Sequence, residues 1–185
     1  MRIGLLGGSF NPPHDGHVHI SEMALARLDL HQVWWLVTPG NPLKDHAGLP
    51  GLRERLALCR ALATHPGIRC TGLEAAFNVR YTADTLDILT RRRPAARFVW
   101  LMGADNLADF HRWERWRDIA ATVPIAVFDR PGSTLAFHSA KAAHALARFR
   151  IDEADAPLLA TRQPPAWTFI HGARSALSST ALRGG

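Results

Sequence analysis

Short, nearly continuous apolar runs recur along the chain, and between them apolar residues return at every third or fourth position. The runs fall at residues 2–6, 32–37, 68–71, 97–102, 124–128 and 167–170. Runs of this length, rich in Val, Ile, Trp and Phe, predict strands buried on both faces of a sheet. In the first long intervening stretch, Leu52, Leu56, Cys59 and Ala63 repeat at helical spacing, with Arg53, Arg55 and Arg60 on the other faces. That is an amphipathic helix laid on a sheet. Similar helices are predicted at 16–28, 82–92, 112–122 and 139–149, and "RRRP" at 91–94 reads as a helix end stopped by proline. Strands alternating with helices imply parallel pairing through right-handed crossovers. The expected fold is a Rossmann-like, doubly wound α/β domain with helices on both faces of a parallel sheet.

At 185 residues the chain has the length of one domain with one sizeable core, so 1–185 is expected to form a single domain. Hydrophobic residues at 47% and charged residues at 21% exclude a disordered chain. No apolar stretch reaches the roughly 18 residues of a membrane helix, and "MRIGLLGG" is too short for a secretory signal and reads as a first strand. Cys59 and Cys70 show no paired metal-ligand spacing and are expected to be free thiols in a reducing cytoplasm. The net charge of +6 comes almost wholly from scattered arginines, Lys44 and Lys141 being the only lysines. A nucleic-acid surface would cluster basic and aromatic residues on one face. The scatter fits a solvated surface with some contribution from a polyphosphate site, and neither nucleic acid nor membrane is expected as a partner.

Candidate chemistry begins where the first strand ends, in "GGSFNPPHDGH" (7–17). In open α/β sheets ligands bind beyond the carboxyl ends of the strands. Gly7 and Gly8 permit close backbone approach, Pro12 and Pro13 stiffen the turn, and Asp15 is placed to cap a helix starting at Gly16. Exposed N–H groups and the positive end of that helix favour an anion such as phosphate, and His14 and His17 add donors. Neither the P-loop pattern nor G-x-G-x-x-G is present. A histidine pair three apart also suits a helix cap or half a metal site, so the motif alone leaves these open. The other histidines match no metal spacing, and no protein metal site is expected.

A second candidate lies in "LSSTALR" (177–183). Ser178 can cap a short helix, freeing the N–H groups of Ser179 and Thr180 for an anion, with Arg183 on the same side as both hydroxyls. The alternative is a capped terminal helix with a solvated arginine.

His14, Asp15, Gly16 and His17 resemble the motif of the H-x-G-H nucleotidyltransferase superfamily, and the late segment resembles its I-S-S-T-x-(I/L)-R signature. With "RYTADTL" (80–86) and "GADNLADFHRW" (103–113) in the same order, the chain from Ile3 to Arg183 is similar to the bacterial nicotinate mononucleotide adenylyltransferases. That resemblance implies attack by the phosphate of nicotinate mononucleotide on the α-phosphorus of ATP, giving deamido-NAD and pyrophosphate, with Mg2+ carried mainly by the ATP phosphates. It implies ATP contacts from Gly7, Gly8, Ser9, Phe10, His14, His17, Asp105, Ser178, Ser179, Thr180 and Arg183. It implies acceptor contacts from Tyr81, Thr82 and Trp113, and charge neutralisation by His14, His17, Lys44 and Arg183. Lys44 follows a shorter proline segment than the family usually shows.

The residues read consistently with this. Thr82 is a suitable N-cap for the 82–92 helix, whose N-terminus would receive the carboxylate of nicotinate in preference to an amide. Trp113, or else Trp116, can stack on a pyridinium ring. Asp105, at the end of "RFVWLMGAD", can reach a ribose hydroxyl or a phosphate-bound Mg2+. Three rivals stand beside this reading. One is a sibling transferase using nicotinamide mononucleotide, phosphopantetheine or a CTP-dependent acceptor; the others are a non-catalytic nucleotide sensor and a basic nucleic-acid-binding domain.

Overall fold

In the computed structural model, which describes residues 1–39, 49–129 and 140–172, the six apolar runs become six strands. They are β1 (Arg2–Gly8), β2 (Gln32–Val37), β3 (Ile68–Thr71), β4 (Arg97–Gly103), β5 (Ile125–Phe128) and β6 (Trp167–Ile170). All pair in parallel, in the order β3-β2-β1-β4-β5-β6. The order reverses between β1 and β4, which is the switch point of a doubly wound sheet, where ligands bind beyond the strand ends. β1 runs to Gly8 and β4 to Gly103, further than their apolar residues alone mark. β5 starts at Ile125 because Pro124 has no N–H for the ladder; its carbonyl still accepts from Trp100 N at 2.8 Å.

Among the described residues the α-helices are α1 (Asp15–Arg27), α2 (Leu52–Leu62), α3 (Leu73–Ala76), α4 (Thr82–Arg92), α5 (Ala104–Phe110), α6 (Trp116–Thr122) and α7 (Lys141–Ala145). Alternation along each strand divides the core between the two sheet faces. Ile3, Leu5, Trp100 and Met102 face α4 through α7, packing with Leu86, Leu107, Phe110 and Ile119. Leu6, Val33, Val99 and Leu101 face α1 and α2, packing with Ile20, Ala24, Leu28 and Cys59. A 3-10 stretch at Glu153–Thr161 adds Ala156 and Leu159 to this second face. Its helix-period signal is weak and Pro157 interrupts it, so the pattern gave no sign of it.

Two expected helices are shorter than their patterns. The 112–122 helix begins only at Trp116, because Arg115 takes a left-handed conformation (φ 53°) and breaks the helical path. The 139–149 helix is α7 followed by a 3-10 turn at Ala147–Phe149. Cys59 and Cys70 are free thiols that meet between α2 and β3. Their hydrogen bond, together with burial, pushes the Cys59 thiol well up, while the same bond draws the Cys70 thiol down. No helix among the described residues is long and apolar enough to cross a membrane.

Candidate active site

The turn after β1 is held from three sides. Thr38 N donates to Gly8 O at 3.0 Å, extending the β1–β2 pairing past the strand end. A Cβ on Gly7 would lie 2.7 Å from Trp100 Cη2, so only glycine lets the chain pass this ring. Phe10 sits at φ 47°, a left-handed conformation unusual for a bulky residue, and its buried ring stacks on Trp35 at 5.0 Å and against His17 at 4.6 Å. Phe10 borders the cavity described below, but its ring is packed under the turn.

His14, not Asp15, caps α1. Gly16 N donates to His14 Nδ1 at 3.1 Å and His14 N donates to His17 Nδ1 at 3.2 Å, a reciprocal capping box built from two histidines. The helix starts one residue earlier than expected, at Asp15, which lies in its first turn. Ser21 Oγ donates to His17 O at 2.7 Å and accepts from Trp35 Nε1 at 2.7 Å, fixing this turn of α1 to β2.

A cavity of about 540 Å³ opens at the carboxyl ends of β1 and β4. Among the sequence candidates, Gly7, Gly8, Ser9, Phe10, His14, His17, Tyr81, Thr82, Asp105 and Trp113 all border it. Lys44, Ser178, Ser179, Thr180 and Arg183 lie outside the described residues.

The wall opposite the turn is the start of α4. Tyr81, in an extended conformation, is the N-cap residue, and Thr82 is the first residue of the helix, so Thr82 is not the cap the sequence suggested. Among the described residues no side chain caps this end, leaving first-turn N–H groups without a side-chain acceptor there. Asp105 likewise sits in the first turn of α5, after β4 has ended at Gly103. The break at Arg115 separates the two tryptophans. Trp113 is half-buried at the cavity, edge-on to Trp100 (6.1 Å) and Phe110 (5.5 Å), while Trp116 is buried in the core. Arg115 fixes this turn by ion pairs to Asp84 at 3.1 Å and Asp87 at 3.3 Å on α4 and to Asp118 at 2.8 Å. The carboxylates hold its guanidinium above its ordinary pKa.

Sequence reasoning missed four charged residues of the cavity: Glu74, Arg80, Arg112 and Glu114. Glu74 is a buried carboxyl on α3, and burial pushes its pKa up against the opposing hydrogen bonds of Thr38 and Thr85, the latter at 3.1 Å. A lone glutamate before an unremarkable "AAF" carries no motif, and only its burial reveals it. Arg80 has no hydrogen-bond or ion-pair partner among the described residues, and Arg112 reaches only Asp109, at 3.5 Å with both side chains 66% exposed. Arg80 stands inside the "RYTADTL" segment, beside residues that drew attention for capping alone.

The cavity thus joins a histidine-capped helix start, an uncapped helix start, an aromatic ring and guanidinium groups. This suits a substrate carrying phosphates on one part and an anionic or cationic ring on another. Among the described residues, no three His, Cys, Asp or Glu side chains group to hold a metal ion.

Comparison with known proteins agrees with this chemistry. The cytidylyltransferase-like family model matches residues 5–185. A Brucella suis protein named "Probable nicotinate-nucleotide adenylyltransferase" is 61% identical over 183 residues, covering 99% of this chain and 94% of its own. A Methylorubrum extorquens protein of the same name is 64% identical over 183 residues, covering 99% of each. A solved Plasmodium falciparum nicotinic acid mononucleotide adenylyltransferase, complexed with NaAD, shares the fold with a TM-score of 0.70 at 17% identity, covering 98% of this chain and 82% of its own. The chain belongs to the cytidylyltransferase-like family and, within it, to the nicotinate-nucleotide adenylyltransferases.

Proposed function

We propose that this chain joins the adenylyl group of ATP to nicotinate mononucleotide in the cavity between the 7–17 turn and the start of α4. The observation that carries the assignment of roles is that His14, His17, Thr82 and Trp113, distant in sequence, border one cavity at the switch point of the sheet. An oxygen of the acceptor's phosphate bonds to the α-phosphorus of ATP as the bond from that phosphorus to the bridging oxygen of pyrophosphate breaks. The nucleophile is already an anion, so the protein's work is alignment and charge stabilisation.

His14 and His17 face the ATP phosphates, with the N–H groups at the start of α1 beside them. Trp113 stacks on the pyridinium ring, and the uncapped N–H groups at Thr82 receive the nicotinate carboxylate. Arg80 and Arg112 extend the positive wall toward the anionic acceptor. Lys44, Ser178, Ser179, Thr180 and Arg183 complete the phosphate contacts in this reading. Asp105, which borders the cavity with Glu74 and Glu114, would help to hold a Mg2+ carried mainly by ATP phosphate oxygens. When bound, the ion supplies charge neutralisation on those oxygens. A cytoplasmic setting, where ATP is available, fits this substrate pair.

The test is pyrophosphate release from ATP with nicotinate mononucleotide, nicotinamide mononucleotide and phosphopantetheine compared as acceptors. The acid is expected to win over the amide by roughly 10- to 100-fold in kcat/KM, the worth of one charge-assisted contact. Equal rates for acid and amide would remove the role given to the α4 N-terminus.

A further inference from the structure

Arg55, on the inner side of α2, is the least exposed charged residue among the described residues, at 1% against 6% for Glu74. No carboxylate among the described residues pairs with it. Its guanidinium donates instead to four backbone carbonyls, Ser9 O at 2.7 Å, Thr38 O at 2.8 Å, Pro50 O at 2.9 Å and Pro39 O at 3.4 Å. Burying a cation is costly unless its donors are satisfied, and five N–H groups in a planar fork can serve acceptors on several sides at once. These acceptors belong to the turn after β1, to the exit of β2 and to the lead into α2. All four lie just outside the named strands and helices.

What Arg55 holds is the turn that carries the histidines. Ser9 immediately precedes Phe10, whose left-handed backbone reverses the chain and seats its ring under His17. Fixing the Ser9 carbonyl fixes where that reversal starts. The same guanidinium grips Thr38, whose side chain hydrogen-bonds Glu74, which in turn accepts from Thr85 Oγ1 of α4. A continuous polar path therefore runs from the histidine turn, through Arg55 and Thr38, to the α4 side of the cavity.

We infer that Arg55 is a positioning residue for adenylyl transfer, setting the histidine turn against β2 and the α4 wall without touching either substrate. The inference rests on the proposed reaction. A fault in alignment is felt most in the transition state, so loss of Arg55 lowers kcat while KM for nicotinate mononucleotide holds. Lysine can satisfy only part of a four-carbonyl site and restores only part of the rate.

The experiment compares wild type, Arg55→Met and Arg55→Lys by circular dichroism, melting, steady-state kinetics with ATP and nicotinate mononucleotide, and amide exchange at Thr38, whose N–H is held by Gly8 O. Expected are folded variants, kcat down roughly 30-fold or more in Arg55→Met and less in Arg55→Lys, KM for the acceptor within about threefold, and faster exchange at Thr38 in both. Unchanged kcat and exchange in a folded variant overturns the inference. So does a rate loss that merely tracks the unfolded fraction, or failure of both variants to fold, since Arg55 is then a core-stability residue. A wild type that does not turn over ATP with nicotinate mononucleotide overturns the proposed reaction instead, while exchange at Thr38 still reports whether Arg55 positions the turn.

Discussion

His14 and His17 stand with ring centroids 4.0 Å apart, and each commits its Nδ1 to accepting a backbone N–H. A nitrogen that accepts carries no proton, so the neutral form of each ring carries its hydrogen on Nε2. The pair is at once a helix cap and a pair of Nε2–H donors, and the two roles cannot be separated by removing a whole side chain.

His17→Ala removes one acceptor of the capping box and one donor at the cavity. The cap is worth about 1 kcal/mol, whereas a donor to developing transition-state charge is worth roughly 100-fold or more in kcat. Melting and turnover measured together should show a small loss of stability with a large loss of rate. A folded variant with near-normal kcat would make His17 a cap only.

Trp113→Ala should raise KM for nicotinate mononucleotide by about 3- to 30-fold, the worth of a cation over an indole face, and leave KM for ATP nearly unchanged. Trp113→Phe should recover part of the difference, since a smaller ring still presents a face. If ATP and the acceptor suffer alike, the ring supports the cavity wall through Trp100 and Phe110 and does not stack on substrate.

Glu74→Gln tests the buried carboxyl. Burial raises the folded-state pKa of Glu74, so the native protein binds this proton more tightly than the unfolded chain does. Stability contributed here is therefore full below the unfolded value of about 4.3 and is lost as pH rises through the folded value. The glutamine variant lacks this loss and keeps both threonine contacts. Its melting temperature should gain on wild type as pH is raised from about 4 toward neutrality, and parallel melting curves across that range would show that Glu74 carries no such penalty.

Gly7→Ala places a methyl 2.7 Å from the buried edge of Trp100, a ring also packed against Trp113. Overpacking of this kind costs about 1–3 kcal/mol. The relief available is movement of β1 or of Trp100, and both border the cavity, so turnover should fall together with the melting temperature. Wild-type stability in this variant would show that the strand end gives way freely.

The sequence by itself determined the parallel α/β fold, the placement of all six strands to within two residues at their ends, and, among the described residues, three segments that border one cavity: 7–17, 80–86 and 103–113. These are legible because burial on both faces demands continuous apolar runs, and because a turn that must pass a bulky ring closely needs glycine. Tertiary structure alone decided how the side chains divide their work. Arg115 reads as an ordinary helix residue, yet carboxylates on α4 and α6 hold it left-handed, and that break sends Trp113 to the cavity and Trp116 to the core. Arg55 reads as one arginine on the polar face of a helix, and Glu74 as a glutamate without a motif. Their roles arise from carbonyls and hydroxyls brought to them by distant parts of the chain, and periodicity cannot express a contact between residues that only folding makes neighbours.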